Sequence, residues 1–149
     1  MNMPSFFILI TVALLSSSCS VGFHREWSQA ERRGTLSDGI EGRWEGHWKS
    51  DVTGHTGKLR CVVSPQLSRQ GDRKFAYWAT WGRLMSGSFT ATHHVLESPG
   101  GTHFSGTHRM PKWAGGVYTY VGTVVSGNFK ATYHCAQDDG IFEMNRPAN

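Results

Sequence analysis

Between residues 41 and 146 apolar and polar side chains alternate with a period of two, broken at intervals by glycine, proline and aspartate clusters. Successive side chains of a strand point to opposite faces, so such alternation predicts half-buried β-strands. Eight are expected, over 41–49, 57–64, 73–81, 87–96, 102–110, 116–125, 128–136 and 140–146. The breaks carry turn chemistry. Thr53-Gly54 and Thr56-Gly57 separate the first two strands, and a longer loop runs from Ser64-Pro65 to Gly71-Asp72. Ser98-Pro99-Gly100-Gly101, Pro111 with Ala114-Gly115-Gly116, and Pro147 supply further stops. Asp138-Asp139-Gly140 predicts a hairpin turn, because Asp-Gly tolerates positive φ.

One stretch recurs. Ser86-Gly87-Ser88-Phe89-Thr90-Ala91-Thr92-His93-His94-Val95 returns as Ser126-Gly127-Asn128-Phe129-Lys130-Ala131-Thr132-Tyr133-His134-Cys135, 40 residues later. Each copy follows a β-branched and aromatic run, so each is expected to be a hairpin that turns at its Ser-Gly.

The alternation also assigns faces. Lys130, Thr132 and His134 share one side of their strand, and Phe129, Ala131, Tyr133 and Cys135 the other, which is therefore the inner one. By the same argument Lys58 and Arg60 point outward, while Leu59, Cys61 and Val63 point inward. The inner wall is expected to hold Trp44, Trp48, Leu59, Val63, Phe89, His93, Val95, Phe129 and Tyr133, with small Gly46, Ala91 and Ala131 among them. The strands over 73–81 and 116–125 are ambiguous; on the first, both faces carry aromatic rings.

Every connection is short, and short connections join antiparallel neighbours. Eight such strands predict an all-β fold, an up-and-down antiparallel β-barrel, with a two-sheet β-sandwich as the alternative. Closure removes unpaired edges, which suits a chain with only 17% charged residues.

Ahead of the strands, residues 5–15 form an uncharged apolar run, too short for the ~20 residues of a bilayer span. It fits the apolar segment of a signal peptide. Residues 20–40 read as a polar linker, with a turn or two of helix through Trp27 to Arg33, and 41–149 as the barrel domain. Leu15-Ser16-Ser17-Ser18-Cys19 resembles a bacterial lipoprotein signal, in which small residues precede a lipidated cysteine. That resemblance implies signal removal over 1–19, lipidation of Cys19 and a lipid-anchored protein of the bacterial cell envelope. The competing expectation is cleavage beside Ser18 or Ser20 and simple secretion.

Composition and charge narrow the partners. A net charge of +4 is mild, and lysines and arginines are spread singly apart from Arg32-Arg33, so nucleic acid is not an expected partner.

Gly42-Arg43-Trp44 resembles the Gly-x-Trp with which lipocalins and avidins open their first strand. The resemblance implies a calycin-type barrel with Trp44 on its floor and Arg146 packed over it. The pattern of strands is similar to that of small secreted bacterial proteins as well.

Candidate chemistry is sparse. There is no nucleophile elbow, no phosphate-cradling loop before a helix and no paired acids at a catalytic spacing, so no catalytic residue is assigned. His93 and His94 fall on opposite faces of one strand, as do His103 and His108, so no metal site and no cofactor is expected. Cys61 and Cys135 belong to strands three steps apart in a ring of eight. The chord of ~14 Å exceeds the ~7 Å a disulfide tolerates, so both are expected as unpaired thiols. The expected function is non-catalytic binding of a small apolar or aromatic ligand in the barrel, with Trp48, Phe89, His93, Phe129 and Tyr133 as ligand-binding residues. Two alternatives stand beside it. One is a filled barrel acting as a structural or protein-interaction lipoprotein through exposed Trp78, Trp113 and Tyr118. The other is a histidine-dependent metal or haem protein. A protein partner is not identified by these residues.

Overall fold

A computed structural model describes residues 20–34, 39–66 and 70–148. The strands are β1 (Gly42–Ser50), β2 (Thr56–Gln66), β3 (Asp72–Trp81), β4 (Met85–Ser98), β5 (Gly101–Arg109), β6 (Val117–Val125), β7 (Asn128–His134) and β8 (Asp139–Asn145). They form a closed up-and-down barrel in which each strand pairs antiparallel with its sequence neighbours and β8 returns to β1. The barrel, not the sandwich, is the architecture. A 3₁₀ turn, Lys112–Ala114, sits in the β5–β6 connection.

The inward faces run as the alternation requires. Trp44, Leu59, Val63, Phe75, Tyr77, Phe104, Tyr120, Phe129 and Met144 belong to one buried cluster. Two alternation breaks resolve on β3. Phe75 and Tyr77 face in, whereas Ala76 and Trp78 face out beneath a helix over residues 20–33 (α1). Phe23, Trp27 and Ala30 of α1 pack on Val62, Ala76 and Trp78, so Val62 and Ala76 are buried although they point away from the barrel interior. Trp27 lies between the guanidinium groups of Arg43 and Arg60, 5.3 and 4.9 Å from its ring. Glu26–Lys74 at 2.8 Å and Glu31–Arg43 at 2.9 Å fasten the helix at its edges. The stretch expected as a polar linker thus contains a helix with an apolar stripe laid on β2 and β3.

Two turn expectations are corrected. Ser126-Gly127 does turn the β6–β7 hairpin, with φ of 49° and 76°, positive at both central residues as a tight twisted hairpin demands. Ser86-Gly87 lies inside β4 instead, and the β3–β4 chain turns at 82–84, with Gly82 at φ 58°. The first hairpin is longer because Trp81 still pairs with Met85 beyond the repeated segment. Gly140 is likewise a β8 residue rather than a turn residue. A Cβ there would sit 2.4 Å from the Tyr133 hydroxyl, so its bareness lets that ring cross the strand.

The two ends of the barrel differ. At the end where β1 begins, Trp44 meets Phe129 at 5.5 Å between ring centroids, Phe129 meets Phe104 at 4.9 Å, and Phe104 meets Phe75 at 5.1 Å. Arg146 closes this floor from below, its guanidinium 3.8 Å from the Trp44 ring. Its Nη1 and Nη2 donate to the carbonyls of Arg43 and Gly39 at 3.1 and 2.5 Å. Trp44 Nε1 donates to Ile40 O at 2.7 Å. Gly122 admits the Phe104 ring, since a Cβ there would stand 2.2 Å from it.

Candidate functional site

The opposite end stays open. Here β1 hands over to β2, β3 to β4, β5 to β6 and β7 to β8. Between these connections lies a cavity of about 270 Å³, entered from solvent. Its wall is mostly ring: Trp48, Trp81, Phe89, Tyr118, Tyr120 and Phe142, completed by Tyr133. Each stands on an inward position of its strand, which is why period two carried them to one place. Tyr77 seals the bottom, stacked at 5.0 Å on Phe89 and 6.2 Å from Tyr120.

Hydrogen bonds hold the wall. Trp48 Nε1 donates to Thr80 O at 2.9 Å, across the β2 backbone at Gly57. Tyr118 donates to Ala114 O at 3.0 Å, tying β6 to the 3₁₀ turn. The Asp138 carboxylate collects two hydroxyls, Tyr133 at 2.9 Å on Oδ2 and Ser50 at 2.6 Å on Oδ1. Ser50 Oγ in turn accepts the amide of Thr53 at 2.9 Å. Burial pushes the Tyr133, Tyr118 and Tyr120 hydroxyls well above the ordinary phenol range; for Tyr133 the bond to Asp138 adds to it. All three therefore act as neutral donors and polarisable rings, not as bases.

Below Tyr77 the interior is filled. His93 is fully buried, with Nε2 3.2 Å from the Tyr77 hydroxyl and its ring 4.5 Å from Phe75. Its Nδ1 has no hydrogen-bond partner among the described residues. Gly106 leaves the room it needs, since a Cβ there would fall 2.3 Å from that nitrogen. Burial, with the charge of His108 second, lowers the His93 pKa from 6.5 to about 4.

Of the residues expected to bind a ligand, the structure brings Trp48, Phe89 and Tyr133 together in the cavity wall. His93 and Phe129 share their inward face but lie deeper, His93 behind Tyr77 and Phe129 against Trp44 in the floor. Tyr118 is not an outside aromatic: it is half-buried and lines the cavity, 6.0 Å from Tyr133. Trp78 is covered in part by α1, whereas Trp113 is 85% exposed on the rim. Tyr118 and Tyr120 share a face with Gly122 and Val124, and Phe142 shares one with Met144, so alternation on β6 and β8 was the signal that could have found them. Asp138 had no such signal, because a turn residue has no alternating face.

Cys61 and Cys135 are buried free thiols. Cys19 lies outside the described residues. Among the described residues no group of three or more histidines, cysteines and acids is placed to hold a metal ion. Three of the histidines instead face carboxylates: His47 with Glu143, His94 with Asp72, and His134 with Asp139.

The fold and this cavity define a class: a closed, eight-stranded, antiparallel barrel consistent with a calycin-like fold, with one plugged end and one open, ring-lined end. Comparison with family models, curated proteins and solved structures finds no match.

Proposed function

We propose that this protein is an exported, lipid-anchored barrel that binds a small apolar or aromatic ligand, without catalysis, in the cavity of its open end. The observation that carries the reading is the asymmetry of the interior. Interlocked rings stand above the floor, and the cleft of about 340 Å³ at that end is lined mainly by the β4–β5 and β6–β7 turns with Trp44 and Arg146. The cavity of about 270 Å³ at the open end is instead walled by seven aromatic side chains among the described residues. A dry engineered cavity of ~150 Å³ already binds benzene, so there is room for a substituted benzene here. The anchor rests on the sequence alone, on the apolar run ending in Ser-Ser-Ser-Cys19; the acyl chains of a processed lipoprotein give the two signals that stable anchoring takes.

Toluene titrated against tryptophan fluorescence tests the binding reading, since Trp48 and Trp81 form part of the wall. A saturable change with a rise in melting temperature is expected, and neither change would reject the cavity as a ligand site. Mass spectrometry of the mature amino terminus tests the anchor, and an unmodified chain starting at Val21 would remove it.

A second reading has its own support. Leu84 is 97% exposed and Trp113 85%, on the β3–β4 and β5–β6 connections, and Val52 on the β1–β2 connection and Met85 at the start of β4 are exposed as well. Apolar tips of this kind suit contact with a protein partner. Loss of such contact in a Leu84→Asp variant that still binds toluene would separate this role from ligand binding.

A further inference from the structure

Among the described residues the lining of the cavity includes one carboxylate, that of Asp138. Among the described carboxylates, those of Glu26, Glu31, Glu41, Glu45, Asp72, Glu97, Asp139 and Glu143 face a basic side chain. Asp51 and Asp138 do not. Asp51 is exposed in solvent, which screens it. Asp138 is half-buried and lines the ring-walled cavity. A carboxylate taken partly out of water without a cation is costly unless hydrogen bonds hold it. Here two hydroxyls do so, and they also fix its direction. Each carboxylate oxygen has a second lone pair, so both retain acceptor capacity after receiving Ser50 and Tyr133.

The walls have the same electrostatic preference. Faces of tryptophan, tyrosine and phenylalanine rings are electron-rich and attract cations, more so where water is excluded. Tyr133 hydrogen-bonds to Asp138, and Tyr118, Tyr120 and Trp81 line the same cavity. Among the described residues the lining contains one imidazole, His55, which is exposed at the lip, and no lysine or arginine. Lys58, Arg83, Arg109 and Lys112 stand exposed outside the wall, where solvent weakens their field.

We propose that the ligand of this cavity is a small aromatic or aliphatic amine bound as its ammonium ion, with the charge at Asp138 and the apolar part between the rings. The proposal rests on the binding reading above and narrows its ligand class.

The probes are 2-phenylethylammonium and 2-phenylethanol, which share size and shape and differ in charge. Calorimetry on the full chain should give the ammonium an affinity at least ~10-fold higher, the scale of one desolvated cation–ring or charge-assisted contact. Asp138→Asn should bring the two affinities together by weakening the ammonium alone. Should that variant fail to fold, the Asp138 carboxyl carbon in the unaltered protein reports instead: its NMR shift should move with the ammonium and stay with the alcohol. Equal affinities overturn the amine assignment while toluene binding leaves the cavity reading standing. A preference that survives Asp138→Asn, or a carboxyl shift indifferent to the ammonium, overturns the role of Asp138. If toluene and both probes all fail to bind, the cavity reading itself falls.

Discussion

The Arg146 guanidinium lies 3.8 Å from the ring of Trp44, joining the last residues of the chain to the first strand. Two backbone carbonyls, of Arg43 and Gly39, accept hydrogen bonds from its Nη1 and Nη2. The pair therefore does in one place what barrel closure needs at its end: it caps the ring stack and ties the segment before β1 to the segment after β8. Trp44→Ala should destabilise the fold by about 3–5 kcal/mol, because the cavity it leaves lies under a rigid plug. Arg146→Ala should cost about 2–3 kcal/mol through the carbonyls left without a charged donor. Urea unfolding of both single variants and the double variant measures this. The double variant should lose less than the sum, since the two residues touch.

Acid should weaken the barrel through His93. Its folded pKa of about 4 lies below the unfolded 6.5, so the unfolded chain binds the proton first. Stability is therefore whole above pH 6.5, falls as the pH drops towards about 4, and levels off below. The full drop corresponds to about 3 kcal/mol. His93→Gln keeps a polar partner for Tyr77 and cannot titrate. Its unfolding free energy should lack this component across the same window, and the difference between the two proteins isolates His93 from the surface carboxylate pairs. Parallel pH curves for the two would contradict the assignment.

Much of this architecture was legible because alternation is a strong code where one face of each strand is buried. Trp44, Leu59, Phe89, Phe129 and Tyr133 point inward for that reason. The code failed where a third element intervenes. Ala76 and Trp78 read as a second apolar face of β3 because α1 covers them, and the apolar positions of α1, Phe23, Trp27 and Ala30, are too few to stand out in a charged stretch. It also assigns a face without a depth. Phe89 and Phe129 occupy matching places in the repeat, yet Phe89 is at the cavity and Phe129 is in the plug. The register decides this: Phe89 pairs with Tyr77, twelve residues back, whereas Phe129 pairs with Val124 beside its turn. Whether Gly106 and Gly122 meant space or close approach depended on which neighbours reached over them, and His93 and Phe104 do.

Cys61 and Cys135 should remain as thiols under oxidising conditions. Cys61 pairs with Trp44 near the floor and hydrogen-bonds to Tyr77, while Cys135 follows β7 at the open end. They are thus separated along the barrel as well as around it. Burial pushes the Cys61 pKa up, which suppresses the reactive thiolate. In a thiol-disulfide reagent the native protein should label Cys61 slowly, with the reaction becoming rapid in denaturant. A Cys61–Cys135 bridge found in a peptide map of the unreduced protein would refute the strand order.

Phe129 and Trp81 should separate folding from binding. Phe129 is fully buried between Trp44 and Phe104, so Phe129→Ala empties the plug and should cost about 3–5 kcal/mol. It does not line the cavity, and in the folded fraction the affinity for toluene should be unchanged. Trp81 is the reverse case. It is 38% exposed at the end of β3 and offers one face of its ring to the cavity, resting against the bare backbone of Gly87. Trp81→Ala should cost less than ~1 kcal/mol of stability, as expected for a partly exposed position outside the core. It removes a ring face that burial against a ligand would make worth about 1.5–3 kcal/mol, a loss of roughly 10- to 100-fold in affinity. Calorimetric titration and urea unfolding of the same two variants give both numbers. Equal loss of binding in the two would mean that the plug and the cavity are one mobile interior, in which ligand binding and core packing cannot be told apart.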